Sequence, residues 1–390
     1  MGSSSGVGIA AAAFYLPRYV ITAGEYRKAL GTFHATGIEE KRVPAYDEDE
    51  VTMAVEAGQR AIDAAERPVA FLAYGTSSHA SALDVLASAL NLEDADREEI
   101  LGEPDGGVAA LRLALDRTAA NGRASLVIAS DAPGAFQGSP AEHPLAAAAA
   151  AFVITADGKV PRTDRAGIPP GRDLVASVGF TGAASDPLAL VDAIGRAEPG
   201  TRIASDPLVF DVVDRPAGDL DVRRALDLRT PIPYEQYLRF RRYGAVPPGT
   251  EFSQGAYVSP TAYLAEAKAR YRLVGEECAK CGRLHFPPRE SCLACGAREW
   301  KARPLKRTGT VYAYTIIGKG AAPSEFLAQQ LATGDYATAV VELDDGLRVT
   351  SMLADVDPAS VKIGMRVRMV FRRLYVQEGV VRYGFKFAPG

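Results

Sequence analysis

Four cysteines stand as two pairs, Cys278 with Cys281 and Cys292 with Cys295, in the run 278-CAKCGRLHFPPRESCLACG-296. They are the only cysteines of the 390-residue chain. The spacing C-x2-C-x10-C-x2-C lets two tight turns bring four thiolates to the corners of a tetrahedron, the geometry zinc takes. Iron held in the rubredoxin manner, or a knuckle that has lost its metal, is the alternative. Gly282 and Gly296 each follow a pair by one residue and permit the positive φ such a turn needs. A site closed by four sulfurs keeps no open position, so the expected Zn2+ is structural rather than catalytic. His285 lies between the pairs. No fifth ligand is needed, and it is expected to be a packed or solvated loop residue.

Other residues that do chemistry are sparse. Ser77, Ser78 and His79 are neighbours, but consecutive side chains point in different directions and no third group orients them, which argues against a Ser–His hydrolase. Glu103 and Asp105 in 102-GEPDGG-107 could work as an acid and base pair. The plainer expectation is that Asp105, just before a helix, caps it. In 366-RVRMVFRR-373 the period of two places Arg366, Arg368 and Arg372 on one strand face. That face is either simply solvated or an attraction for anions such as the phosphates of coenzyme A. A third reading is single-stranded nucleic acid, with Tyr312, Tyr314 and Tyr375 as stacking platforms.

The totals narrow these choices. A hydrophobic content of 47% over 390 residues suffices for a large core and two or three domains. A net charge of -4 argues against a dedicated nucleic-acid binder. No uninterrupted apolar run reaches the roughly 18 residues of a membrane span. The run 145-LAAAAAAFVI-154 is shorter and suits a buried, tightly packed segment. The opening MGSSSG lacks the charged and apolar regions of a signal peptide and is set aside from the fold. With every cysteine in one cluster and none left for a disulfide, the expected compartment is the cytoplasm.

The elements that must position these residues fall into two halves. The runs 7-VGIAAAAFYLPRYVI-21, 37-GIEEKRVPAYDEDEVTMAVEAGQRAID-63, 68-PVAFLAYGTSSHA-80, 106-GGVAALRLALDRTAANGRASLVIASDAP-133 and 147-AAAAAFVIT-155 alternate strands with helices. This predicts an α/β domain around a mostly parallel sheet. A charged, proline-bounded stretch, 214–233, is expected to be the linker. Helices are expected over 234–244 and 261–274. After the cysteines, 310-TVYAYTIIG-318, 338-TAVVELDDGLRVTSMLA-354 and 363-IGMRVRMVFRRLYV-376 read as strands, with Asp345-Gly346 turning a hairpin. About five short strands in this space fit a small closed barrel.

The order helix, knuckle, barrel, with FPPRESC, GTVYAYTII, VVELDDGLRVTSML and VKIGMRVRMVF, resembles the DUF35 family. That resemblance implies a rubredoxin-like zinc ribbon and an all-β OB-fold. The first half, through GIEEKRVPAYDEDEVTMAVEAG, YGTSSH and VGFTGAASDPLALVDAIGRAEPGTRIASDPLVFDV, resembles 3-hydroxy-3-methylglutaryl-CoA synthase and ketoacyl synthase III of the thiolase superfamily. Together they imply a truncated α/β thiolase-like domain over 7–213, a linker over 214–233, a helical segment over 234–274, the ribbon over 275–300 and the OB-fold over 301–390.

Departures from the superfamily decide what it implies about activity. Its synthases use a Glu acid/base, a Cys nucleophile, a His and an Asn in a GN-type loop. Here Ser77 stands at the Glu position, Glu103 near the Cys position and Phe180 at the Asn position. The segment expected to carry the His is missing. The resemblance therefore implies a non-catalytic, accessory subunit of an acyl-CoA-processing complex. Its partner would be a separately encoded thiolase-superfamily acyltransferase or aldolase, in a hetero-oligomer that could be built on a dimer. Two alternatives are an acyl-CoA C-acyltransferase or lyase working through Glu103, and an OB/zinc-ribbon module that binds single-stranded nucleic acid.

Overall fold

The structure is a computed structural model; it describes residues 6–171, 173–241, 263, 266–377 and 379–390. The chain divides into two compact units, Met1–Tyr243 and Gly244–Gly390.

In the first unit the strands are β1 (Gly8–Tyr15), β2 (Tyr19–Thr22), β3 (Glu40–Val43), β4 (Phe71–Thr76), β5 (Asp96–Leu101), β6 (Ser125–Asp131), β7 (Ala148–Thr155) and β8 (Val160–Pro161). They are followed by β9 (Arg202–Ser205), β10 (Leu208–Asp211) and β11 (Thr230–Pro231). The helices are α1 (Ala23–Leu30), α2 (Glu50–Ala65), α3 (Leu83–Leu90), α4 (Gly106–Asn121), α5 (Asp173–Val178), α6 (Ser185–Arg196), α7 (Val222–Asp227) and α8 (Tyr234–Arg241).

Six strands form the main sheet in the order β5-β4-β6-β7-β1-β8. The expected mostly parallel sheet is corrected to a mixed one. β4 runs parallel to β5 and β6, whereas β6–β7, β7–β1 and β1–β8 are antiparallel. The residue pattern marks strands buried on both faces but carries no direction, which is why direction was misread. β6 and β7 are buried along their whole length. The alanine run supplies β7, where small side chains let α2 and α6 approach. α2 starts with a reciprocal cap: Asp49 accepts from the Thr52 N–H at 2.9 Å, and the Thr52 hydroxyl accepts from the Asp49 N–H at 2.9 Å.

The expected linker is also corrected. Within 214–233, Ala217 exchanges backbone hydrogen bonds with Ala10 and Ala12, Leu220 and Val222 sit in the main core, and β11 pairs with β2. α8, assigned from sequence to the second half, packs instead in the first unit, where Tyr234, Tyr237 and Phe240 join Ile21, Tyr26 and Val43. Apolar spacing shows that a helix needs a partner surface, not which surface it finds. Of the helix expected over 261–274, the continuous part within the described residues is Ala267–Arg272 (α9); much of the remainder lies outside them.

The second unit contains β12 (Val274–Cys278), β13 (Leu284–His285), β14 (Trp300–Pro304), β15 (Thr308–Ile317), β16 (Tyr336–Leu343), β17 (Arg348–Met352), β18 (Arg366–Gln377) and β19 (Val380–Pro389). A short helix, α10 (Leu327–Thr333), lies between β15 and β16. The ribbon sheet runs β13-β12-β14 and the barrel sheet β17-β16-β15-β18-β19. A parallel bridge between Leu353 and Phe387 draws the two edges of the barrel sheet together. Val311, Val341, Val349, Val367 and Phe387 fill its interior. Gly346, at φ 85°, turns the β16–β17 hairpin as expected.

Candidate functional site

The metal centre is built from two matching turns. In the first, the Cys278 N–H donates to the Arg283 carbonyl at 3.0 Å and the Gly282 N–H to the Cys278 carbonyl at 2.9 Å. In the second, Cys292 donates to Ala297 at 2.8 Å and Gly296 to Cys292 at 2.9 Å. Gly282 and Gly296 both adopt a φ of 71°. These turns bring all four sulfurs within 4.8 Å of one another. The Cys278–Cys295 and Cys281–Cys292 edges are each 3.6 Å. A tetrahedron with Zn–S bonds of about 2.3 Å has edges of about 3.8 Å, so the donor set fits zinc.

The surroundings of the thiols differ from one cysteine to the next. The backbone N–H groups of Cys281 and Lys280 hold the Cys278 thiol below its ordinary range. Burial pushes the Cys292 thiol up, but the N–H groups of Ala294 and Cys295 and the His285 ring outweigh it and bring it down to about 5. The Arg283 N–H draws Cys281 down, yet the neighbouring sulfurs, Cys292 foremost, push it up to about 11. Thiolates are the ligand form, so taking a metal releases protons from the cluster, that of Cys281 among them. Of the two alternatives for His285 the packed one holds, on a strand rather than a loop: it ends β13, is buried, and sets Nε2 3.4 Å from the Cys292 sulfur.

Arg366, Arg368 and Arg372 of β18 do not form one exposed cationic face. Arg366 is exposed and makes two hydrogen bonds to Asp344, at 2.7 and 3.0 Å. Arg372 is fully buried, with Asp355 at 2.8 Å and the Phe371 carbonyl at 3.1 Å. Alternation did put them on one side of the strand, with no register shift between Val367 and Arg373, but the Arg372 end of that side is covered and pairs with Asp355. The exposed face expected for coenzyme A phosphates is thereby reduced to Arg366 and the half-buried Arg368.

At the head of α4, Glu103 is exposed and its carbonyl accepts the Gly106 N–H at 3.0 Å. Asp105 occupies the N-cap position but its side chain makes no capping hydrogen bond. The expected carboxylate cap is therefore absent. Phe180 is 42% exposed, and its backbone bonds to Pro144 and Ala146. The His79 ring lies against Gly102, and the Ser77 hydroxyl lies beside Gly182. The residue that joins these loops went unnoticed in the sequence. Asp131, buried at the end of β6, accepts N–H groups from Ser77 at 3.1 Å, Ala183 at 3.0 Å and Ala132 at 3.0 Å. Its signal was only a carboxylate closing an apolar strand.

A second unforeseen cluster surrounds Lys41 on β3. Its ammonium donates to the Glu142 carbonyl at 2.6 Å and the Tyr237 hydroxyl at 3.2 Å, and lies over the Tyr26 and Tyr237 rings. Burial brings Lys41 down to about 7, against the opposing pull of Glu142. Tyr26 donates to Glu142 at 3.3 Å. The cluster ties together α1, β3, α8 and the segment before β7.

Comparison with known proteins matches these two units to different relatives. Residues 265–301 match the family model of the ChsH2 rubredoxin-like zinc ribbon domain, and residues 302–372 that of the ChsH2 C-terminal OB-fold domain. A DUF35 domain-containing scaffold protein of Methanocaldococcus jannaschii is 39% identical over 125 residues, which are 31% of this chain and 84% of that protein. The benzoylsuccinyl-CoA thiolase subunit BbsA of Thauera aromatica is 30% identical over 89 residues, 23% of this chain and 56% of that one. PksG, an HMG-CoA synthase from Bacillus subtilis, superposes with a TM-score of 0.50 at 17% identity, covering 60% of this chain and 88% of its own. The first unit thus has the thiolase-like fold of HMG-CoA synthase, and the second is a zinc ribbon with an OB-fold.

Proposed function

Since the chain belongs, through its C-terminal unit, to the DUF35 domain-containing family, we propose that it is an accessory, scaffold-type subunit of an acyl-CoA-processing complex. Its partner is a separately encoded thiolase-superfamily acyltransferase or aldolase, and the acyl-CoA thioester is handled there. One observation carries this reading. A ribbon and OB-fold unit related to scaffold proteins is joined to a synthase fold that has no cysteine before Cys278 and an exposed Glu103 near the nucleophile position. A nucleophilic thiolate is what makes the acyl-enzyme in that chemistry, and this chain cannot supply one from its first unit. The relative that is a thiolase subunit supports the same class of partner. The zinc site holds the ribbon in shape; its four-sulfur shell leaves no position for a substrate.

Affinity purification of the full chain from its native cells tests this. A stoichiometric thiolase-like protein, with acyl-CoA turnover that requires both, is the expected result. Turnover by the chain alone, lost in Glu103→Ala, would instead make it an enzyme in its own right. Oligonucleotide binding that weakens steeply with salt would make it a nucleic-acid module.

A further inference from the structure

The metal centre has an uneven surrounding. His285 and Trp300 sit on the two strands that flank β12: His285 pairs with Glu276, and Trp300 with Cys278. The Trp300 ring stands edge-on to the imidazole, with centroids 5.1 Å apart at 75°. The imidazole is 6% exposed and Cys292 3% exposed, so bulk water does not compete for either. Nε2 lies 3.4 Å from the Cys292 sulfur, within hydrogen-bonding reach of so large an acceptor.

A metal-bound cysteine is a thiolate and can only accept. A bare Nε2 lone pair facing it would set two lone pairs against each other in a dry site, whereas Nε2–H facing it makes a hydrogen bond. We infer that His285 is a positioning residue of the metal centre, held in the Nε2–H form and donating that proton's hydrogen bond to the Cys292 thiolate. Four thiolates around one Zn2+ leave a net charge of -2, and a donor aimed at one sulfur withdraws charge from that ligand and fixes its direction. Such outer-shell donors typically change metal affinity about 10–100-fold. The inference concerns the ribbon alone and stands whether or not the accessory-subunit reading does.

The test uses the full chain. With cadmium-113 in place of zinc, nitrogen NMR should show a protonated Nε2 on His285, and its proton should show a small scalar coupling to the metal through the sulfur. In the zinc form, His285→Phe, which keeps a flat ring against Trp300 but removes the donor, should release zinc to a chromogenic chelator about tenfold faster. His285→Gln, which restores an N–H, should recover part of the difference. A protonated Nδ1 with bare Nε2, or a direct nitrogen–metal coupling, would overturn the inference, as would unchanged release from His285→Phe. The NMR arm needs no variant, so it decides even if the substitutions fail to fold.

Discussion

The backbone of Gly107, at the start of α4, runs so close to Ala183 that a Cβ on Gly107 would lie 2.1 Å from the Ala183 carbonyl oxygen. One residue earlier, the Gly106 carbonyl would meet a Cβ on Gly75 at 2.3 Å. The head of α4 is therefore clamped between the end of β4 and the loop after Phe180, with Asp131 tying the same loops through their N–H groups. The close approach of these backbones fixes where α4 begins relative to the main sheet.

Gly107→Ala should destabilise the first unit by about 2 kcal/mol or more, because its new methyl meets backbone rather than a movable side chain. Calorimetry of the full chain measures it, as a lower midpoint for the unit's transition. Gly122→Ala makes a useful contrast: a Cβ there meets nothing within 4 Å, and any loss comes only from its φ of 69°.

The four-sulfur site predicts one zinc per chain by elemental analysis. Cys278→Ser should lose the metal and the cooperative unfolding of the second unit, and with it any activity that the proposed partner owes to this chain. A chelator should do the same to the wild type. A metal-free Cys278→Ser protein that stays folded and supports its partner would refute a structural role for zinc.

The arginines of β18 should separate by burial. Asp355→Asn removes a charge from beside the buried Arg372 and should cost about 3 kcal/mol. Arg366→Ala breaks an exposed pair with Asp344 and should leave the melting temperature unchanged within error. Urea titrations of both variants give the comparison. Equal effects would mean that Arg372 is not held as the structure shows.

Lys41 makes the first unit sensitive to pH. Its pKa is lowered to about 7 when folded, against an ordinary 10.5, so between these values the unfolded chain binds more protons. Stability should then rise with pH through that window, by at most about 1.4 kcal/mol per unit from this one group, and show no contribution from it below pH 7. Lys41→Met should flatten the slope between pH 7 and 9, read from thermal midpoints. A slope of equal size in the variant would show that another group is responsible.

Much of this was legible along the chain. The cysteine spacing carries the metal site because a tetrahedron needs only two local turns, and Asp345-Gly346 marks its hairpin for the same local reason. The alanine run announces a buried strand. What the sequence left open was everything that depends on which distant surfaces meet. Alternation on β18 does not show which end of a strand face other residues will cover, so Arg372 read as exposed. The apolar stripe of α8 shows a need for a partner but not that the partner is β2, β3 and α1, and the boundary between units was misplaced with it. Strand direction in the main sheet depends on how the chain crosses over, which residue patterns do not record. The partners of Asp131 and Lys41 could not be read along the chain because they lie far off in sequence. Their hydrogen bonds, and the burial that makes those bonds matter, exist only once the chain has packed.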